Sequence, residues 1–155
     1  MKYKKIMLKE INQYVRDITS LGSLPFTILT IIIFLFIDYK SALIILIGLI
    51  LIHIIGSFIK IIFYKKRPNK QTYSNILEKI DSGSFPSVHS ARALLIALIL
   101  YPFFSNLVLG IIIALVILVG YSRIHLKKHY IIDVIGGYIL GLISWYIANI
   151  LVQYL

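Results

Sequence analysis

Long apolar runs separated by short polar stretches dominate this sequence of 155 residues and set the strongest limit on its fold. Joined to their apolar neighbours, the runs approach the ~20 residues that a helix needs to cross a bilayer. In lipid only helices and closed barrels satisfy the backbone hydrogen bonds, and the strict alternation typical of barrel strands is absent. The sequence therefore predicts an all-α, polytopic transmembrane helix bundle with about five crossings. Their expected bounds are 21–37, 41–63, 87–104, 107–122 and 131–152.

The first 20 residues differ from these runs, because charged and apolar residues recur there with helical spacing. A helix with one apolar side and one basic side is typical of segments that lie on a membrane surface. We therefore expect an interfacial helix over residues 1–20. Its apolar side would carry Ile6, Ile11, Val15 and Ile18.

With five crossings, the interfacial helix and the loops 64–88 and 123–130 share one face of the membrane. Every lysine and arginine except Lys40 belongs to that face. Such a bias is typical of the cytoplasmic side, but a site that binds an anion collects cations whichever side it faces, so the side stays open. We expect residues 1–155 to form a single membrane-embedded domain of a multi-pass cell-membrane protein.

The net charge of +10 would suggest nucleic-acid binding in a soluble protein. Here the charges stand at the ends of apolar runs, so the expected partners are the bilayer and an anionic membrane lipid, and no nucleic acid. The absence of cysteine excludes thiol chemistry. Composition leaves the oligomeric state open.

The stretch SRIHLKKHYIID, residues 122–133, places ionisable side chains between two apolar runs. Such residues at membrane depth are functional candidates. His129 and Asp133 are four residues apart, which on a helix would put them on one face. The carboxylate could then accept from one imidazole nitrogen and leave the other basic. A working pair is the favoured interpretation, and an ordinary helix-surface contact is the alternative.

Two further clusters share that face. Lys60 and Arg67 are seven residues apart, so both would point the same way if the second crossing continued as helix to Arg67, where Pro68 ends it. Taken alone, they could equally be snorkelling to headgroups. At the start of the third crossing, Ser87 is a good N-cap, and the free amides after it would make an anion site.

In order, the clusters read KxxxxxxRP (60–68), PSVH (86–89) and SRxxxxxHxxxD (122–133). This pattern resembles the type-2 phosphatidic acid phosphatase family, membrane lipid phosphatases related to bacterial acid phosphatases and vanadium haloperoxidases. The resemblance implies a metal-free phosphohydrolase without a cofactor. His129 would attack phosphorus and form a phosphohistidine, Asp133 would hold and polarise it, and His89 would protonate the leaving oxygen and later activate water. The substrate phosphate would be bound by Lys60, Arg67, Ser87, Val88 and Arg123.

Two features depart from that family. Val88 stands where the family usually has glycine, and its bulk could crowd the phosphate and tune selectivity. The family commonly has six crossings, and here the first is replaced by the interfacial helix.

Other ionisable and small residues, among them His125 at a position that the third motif leaves free, have more than one interpretation. We expect a headgroup or loop contact for His125 and a hydrogen bond to a neighbouring helix for His53. Arg92 could be a phosphate contact or an interface anchor. A metal site built from His89, His125 and His129 lacks the close spacing of known ligand sets. A GxxxG step formed by Gly137 and Gly141 would let the last helix pack closely.

These expectations favour an enzyme that hydrolyses a lipid phosphate or diphosphate. A polyprenyl diphosphate is slightly preferred over a phosphatidic-acid-like lipid, by analogy with small microbial members of the family. The alternatives are a lipid-linked phosphotransferase and a non-catalytic channel or transporter.

Overall fold

The computed structural model describes residues 2–69 and 74–155. This part of the chain is helical and contains no strand, which confirms the all-α prediction. Its helices are α1 (Lys2–Ser20), α2 (Leu24–Ile37), α3 (Tyr39–Ile62), α4 (Ile76–Ser82), α5 (Val88–Leu100), α6 (Asn106–His125) and α7 (Ile131–Gln153), with a 3₁₀ turn (Tyr101–Phe103) after α5.

Helix length and composition agree with a polytopic bundle. Among the described residues α3, α6 and α7 are each long and apolar enough to cross a membrane. A fourth span is formed if Lys9–Ser20 and α2 are taken together, with a bend of 40° between them. Helix α5 together with the 3₁₀ turn after it (Val88–Phe103) forms a shorter apolar helix. The predicted count of about five crossings is consistent with these elements.

The end of α3 differs from the sequence interpretation, which continued this helix to Arg67. The helix ends at Ile62, and an irregular segment follows. The backbone of this segment makes hydrogen bonds to the chain before α5: the Lys65 carbonyl accepts from the Ser84 N–H at 2.8 Å. The Ser84 hydroxyl also donates to the Lys66 carbonyl at 3.3 Å. These contacts replace the helical ladder and bring the segment against the chain just before α5.

Helix α5 lies inside the bundle and packs against α3, α6 and α7. Its contact with α7 is unusually close, because a Cβ on Gly141 would lie 2.5 Å from the Ala91 carbonyl oxygen. A Cβ on Gly137 would likewise clash with the Ser87 carbonyl oxygen. The predicted role of the GxxxG step in close helix packing is therefore confirmed.

Gly141→Ala should destabilise the protein by about 1–3 kcal/mol, because the added methyl meets backbone that cannot move aside. Gly110→Ala is the matched control, since a Cβ there meets nothing within 4 Å. The control should be neutral or slightly stabilising, because alanine restricts the unfolded chain more than glycine does. Thermal unfolding in detergent measures both. Equal melting temperatures for the two variants would show that α5 and α7 can separate without cost.

The segments that were predicted to share one membrane face meet at one end of the bundle. The Asn69 N–H donates to the Lys127 carbonyl at 3.0 Å and joins the two loops. Helix α1 reaches the same end, where Asn12 Oδ1 lies 3.1 Å from His125 Nε2. His125, for which a headgroup or loop contact was expected, therefore contacts helix α1 instead. Apolar side chains of α1 such as Tyr14 are exposed, and its placement on the membrane surface stays a prediction.

Candidate active site

A cavity of about 410 Å³ opens at this end of the bundle. It takes in six of the eight site residues predicted from the sequence; Ser87 and Asp133 are the two that do not line it. The lining residues are His53, Ser57, Lys60, Arg67, Glu78, Asp81, Ser82, Val88, His89, Arg92, Arg123 and His129.

Cations from four different elements line the cavity, and one of them, Arg92, comes from α5. Lys60 comes from the last turn of α3, Arg67 from the irregular segment after it and Arg123 from the last turn of α6. Lys60 and Arg123 are 6% and 8% exposed, and within the described chain neither has a carboxylate in ion-pair range. Buried cations without an opposite charge are costly. This cluster is therefore suited to an anionic ligand.

A tight turn after α6 positions His129 beside these cations. Lys127 adopts a left-handed conformation (φ 53°), and the His129 N–H donates to the Arg123 carbonyl at 3.2 Å. The His129 ring is 3% exposed, and its Nδ1 lies 2.7 Å from the Ser84 carbonyl oxygen. A carbonyl only accepts, so Nδ1 carries the proton and Nε2 keeps a free lone pair.

Burial, with a further contribution from Arg123, lowers the pKa of His129 to about 3. The neutral imidazole, which is the nucleophilic form, is therefore the stable form across the physiological pH range.

The geometry corrects the predicted His129–Asp133 pair. His129 precedes α7, so the two residues do not share a helical face, and Nδ1 lies 4.0 Å from Asp133 Oδ2. The hydrogen bond from His129 Nδ1 is accepted by the Ser84 carbonyl and not, as predicted, by the Asp133 carboxylate. Fully buried, Asp133 accepts from the Tyr130 N–H at 2.8 Å and pairs with Lys65 Nζ at 2.6 Å. A carboxylate in the first turn of a helix satisfies free amides there, which explains this placement.

Ser87 is the N-cap residue of α5, as predicted, but its hydroxyl does not cap the helix. It accepts from the Ser90 hydroxyl at 3.0 Å, while the Ser87 N–H donates to the Asp133 carbonyl at 2.9 Å. Ser87 thus joins α5 to the start of α7 from a fully buried position. Its binding to substrate phosphate stays a prediction.

His89 and Arg92 lie one turn apart on α5, and both line the cavity. Arg92 Nε donates to the Gly22 carbonyl at 2.9 Å, and Nη2 lies 3.5 Å from His89 Nδ1. Arg92 Nη1 lies 3.5 Å from His53 Nε2, which gives His53 its expected contact with a neighbouring helix. Arg92 therefore combines an interface contact with a place in the cavity.

Sequence reasoning missed several residues of the site. Lys65 and the Ser84 carbonyl carry no motif, because they act through contacts distant in sequence. Ser57, and the place of His53 in the cavity, could have been found, since with Lys60 the two residues recur at helical spacing in an otherwise apolar helix. Asn75 accepts from the Glu78 N–H at 2.8 Å, a capping pattern that starts α4 and was also readable. Helix α4 contributes Glu78, Asp81 and Ser82 to the cavity.

A cation-lined cavity holding three histidines, at one end of an apolar helical bundle, defines a membrane enzyme that acts on phosphate. Residues 41–155 match the family model of the PAP2 superfamily, and the chain belongs to that superfamily. It is a phosphatase embedded in a membrane, as the motifs implied.

Two crystal structures share this fold. LpxE of Aquifex aeolicus is 23% identical, with a TM-score of 0.75 over 89% of this chain and 84% of that one. The first transmembrane PAP2-type phosphatidylglycerolphosphate phosphatase from Bacillus subtilis is 27% identical, with a TM-score of 0.72 over 94% of this chain and 78% of that one. A search of curated proteins finds no match.

Val88→Gly should preserve the chemistry and broaden the range of accepted phosphates. Val88 lines the cavity and also packs against the bundle core, so its removal widens the cavity and costs up to about 1 kcal/mol of helix stability. The measurement is the ratio of hydrolysis rates for a bulky diphosphate lipid and a small soluble phosphate. A ratio that does not change from wild type to variant would leave Val88 as a packing residue only.

Proposed function

We propose that this protein is a metal-independent phosphohydrolase that removes phosphate from a lipid phosphate or diphosphate through a phosphohistidine at His129. The observation that carries the proposal is the convergence of His129, His89 and the cations Lys60, Arg67 and Arg123 on one cavity. Phosphoryl transfer requires a positioned nucleophile and positive charge around the equatorial oxygens. This constellation supplies both.

In the first step the lone pair of His129 Nε2 forms a bond to phosphorus, and the bond from phosphorus to the leaving oxygen breaks. The leaving oxygen keeps that electron pair and takes a proton from the protonated form of His89. In the second step His89 removes a proton from water, whose oxygen attacks phosphorus and releases inorganic phosphate and free His129. General acid–base catalysis of this kind contributes about 10²–10⁴-fold.

The proposed chemistry needs no metal, because fixed side-chain cations can neutralise charge that develops on the phosphoryl oxygens. Within the described chain no group of three or more His, Cys, Asp or Glu could hold a metal ion. The carboxylates of the cavity, Glu78 and Asp81, stand beside the cation cluster rather than in a cage of their own. We assign the remaining predicted roles accordingly: Ser87 and Val88 border the phosphate site, and Asp133 holds the His129 segment.

The substrate is proposed to be a lipid because the cavity opens at the end of a bundle whose outer side chains are largely apolar. A lipid can then present its phosphate to the cavity while its tail stays in the bilayer. The Bacillus subtilis structure is that of a phosphatidylglycerolphosphate phosphatase, and this supports a lipid phosphate as the substrate class. We place the protein in the cell membrane as a single domain over residues 1–155.

Purified protein in detergent should release inorganic phosphate from a polyprenyl diphosphate or from phosphatidic acid with EDTA present. A His129→Ala preparation purified in parallel controls for contaminating phosphatases. Release that EDTA abolishes would overturn the metal-independent mechanism. Absence of release from any lipid phosphate would favour the transporter interpretation, and transfer of phosphate to an added alcohol in place of water would favour a phosphotransferase.

A further inference from the structure

The cavity continues beyond the cation cluster toward the middle of α3. Ser57 and His53 extend its lining from Lys60 by seven residues, which is roughly 10 Å along a helix. His53 remains exposed although it lies in a membrane-spanning helix. An ionisable residue at such a depth is by default a functional candidate. No step of the hydrolysis described above uses this part of the cavity.

Arg92 is the positive charge in this deeper part. It is 4% exposed, and within the described chain no carboxylate lies in ion-pair range of it. Its side-chain contacts are the Gly22 carbonyl at 2.9 Å and the rings of His53 and His89, each at 3.5 Å. A carbonyl and two imidazoles do not neutralise a buried guanidinium. The open cavity beside it can admit an anion that does.

We propose that Arg92, His53 and Ser57 form a second anion subsite, which binds the phosphate of the leaving group and makes lipid diphosphates the preferred substrates. This inference rests on the proposed phosphatase function. In an in-line displacement the nucleophile and the leaving oxygen stand on opposite sides of phosphorus. His89 protonates the leaving oxygen, and Arg92 contacts His89 from the next turn of α5. Arg92 therefore stands on the leaving-group side.

For a diphosphate, the Nε2–P bond forms at His129 and the bridging P–O bond breaks. The bridging oxygen keeps the electron pair and becomes a terminal oxygen of the departing lipid monophosphate. That phosphate gains negative charge beside Arg92, which can stabilise it with charge-assisted hydrogen bonds. A lipid monophosphate instead releases an alcohol, which brings no anion to the subsite. The subsite thus favours diphosphates in the transition state.

The test compares kcat/KM for a polyprenyl diphosphate and for the monophosphate with the same chain, in one detergent. Arg92→Gln should lower the value for the diphosphate by about 10-fold or more, from the loss of a charged hydrogen bond. The value for the monophosphate should fall by less than about threefold. His53→Leu should lower the ratio of the diphosphate kcat/KM to the monophosphate kcat/KM by about threefold, in line with a weaker contact. Arg16→Gln and His125→Leu are the matched controls, because both residues lie outside the cavity.

The outcomes separate this inference from the function on which it rests. If wild type hydrolyses neither lipid, the proposed function fails. If wild type hydrolyses both and Arg92→Gln lowers both values equally, the second subsite is overturned and the phosphatase stands. If Arg92→Gln does not fold, the His53→Leu ratio decides: a fall of about threefold supports the subsite, and an unchanged ratio overturns it.

Discussion

Replacement of His129 by alanine is expected to abolish phosphate release, with a loss on the order of 10⁴-fold or more, as for removal of other catalytic nucleophiles. The side chain is buried beside Arg123, and the Ser84 carbonyl holds its Nδ1 at 2.7 Å. No other histidine of the described chain has a carbonyl or carboxylate partner of this kind together with a place in the cavity.

The measurement is inorganic phosphate released from a lipid phosphate in detergent. His125→Ala is the matched control, because His125 lies four residues earlier in the same segment, outside the cavity. The control should retain wild-type activity. Full activity in the His129 variant, or loss in the His125 variant alone, would move the nucleophile elsewhere.

Asp133→Asn should leave the protein folded but lower kcat/KM on the order of 10²-fold, as for removal of one preorganised electrostatic contact in other active sites. The carboxylate is fully buried, pairs with Lys65 at 2.6 Å and lies 4.0 Å from His129 Nδ1. An amide of the same size cannot balance the positive charge that His129 acquires on attack, and it leaves Lys65 without its ion pair.

Asp38→Asn is the control for this substitution. Asp38 caps α3 at the opposite end of the bundle, and asparagine is an equally good N-cap, so activity and stability should both stay near wild type. Steady-state kinetics and thermal unfolding of the two variants give the comparison. Asp133→Asn activity within about threefold of wild type would reduce Asp133 to a structural residue that caps the start of α7.

The sequence was sufficient for the helical class and for about half of the residues that line the cavity. Apolar runs of membrane-spanning length leave few alternatives to a helix bundle. The motifs also predicted that Lys60, Arg67 and His129, from distant parts of the chain, belong to one site, because their order and spacing are a family pattern. Close packing at Gly137 could be read from the spacing of small residues alone.

The details that sequence reasoning missed are those set by contacts between distant backbone groups. The acceptor for His129 is a main-chain carbonyl, which any residue at position 84 would provide, so no side chain marks it. The end of α3 depends on the Lys65 carbonyl finding the Ser84 N–H, a partner that helical spacing does not reveal. Asp133 was placed on a helical face with His129 because the four-residue spacing was interpreted as continuous helix, whereas α7 begins only at Ile131.

The phosphohistidine is tested most directly by trapping it. Wild-type protein and His89→Ala are mixed with a lipid phosphate labelled in its terminal phosphate, quenched in alkali and digested, and the labelled peptide is sequenced. The proposed mechanism predicts an alkali-stable, acid-labile label on the peptide that contains His129. Label on a different residue, or complete turnover with no label in either protein, would contradict it.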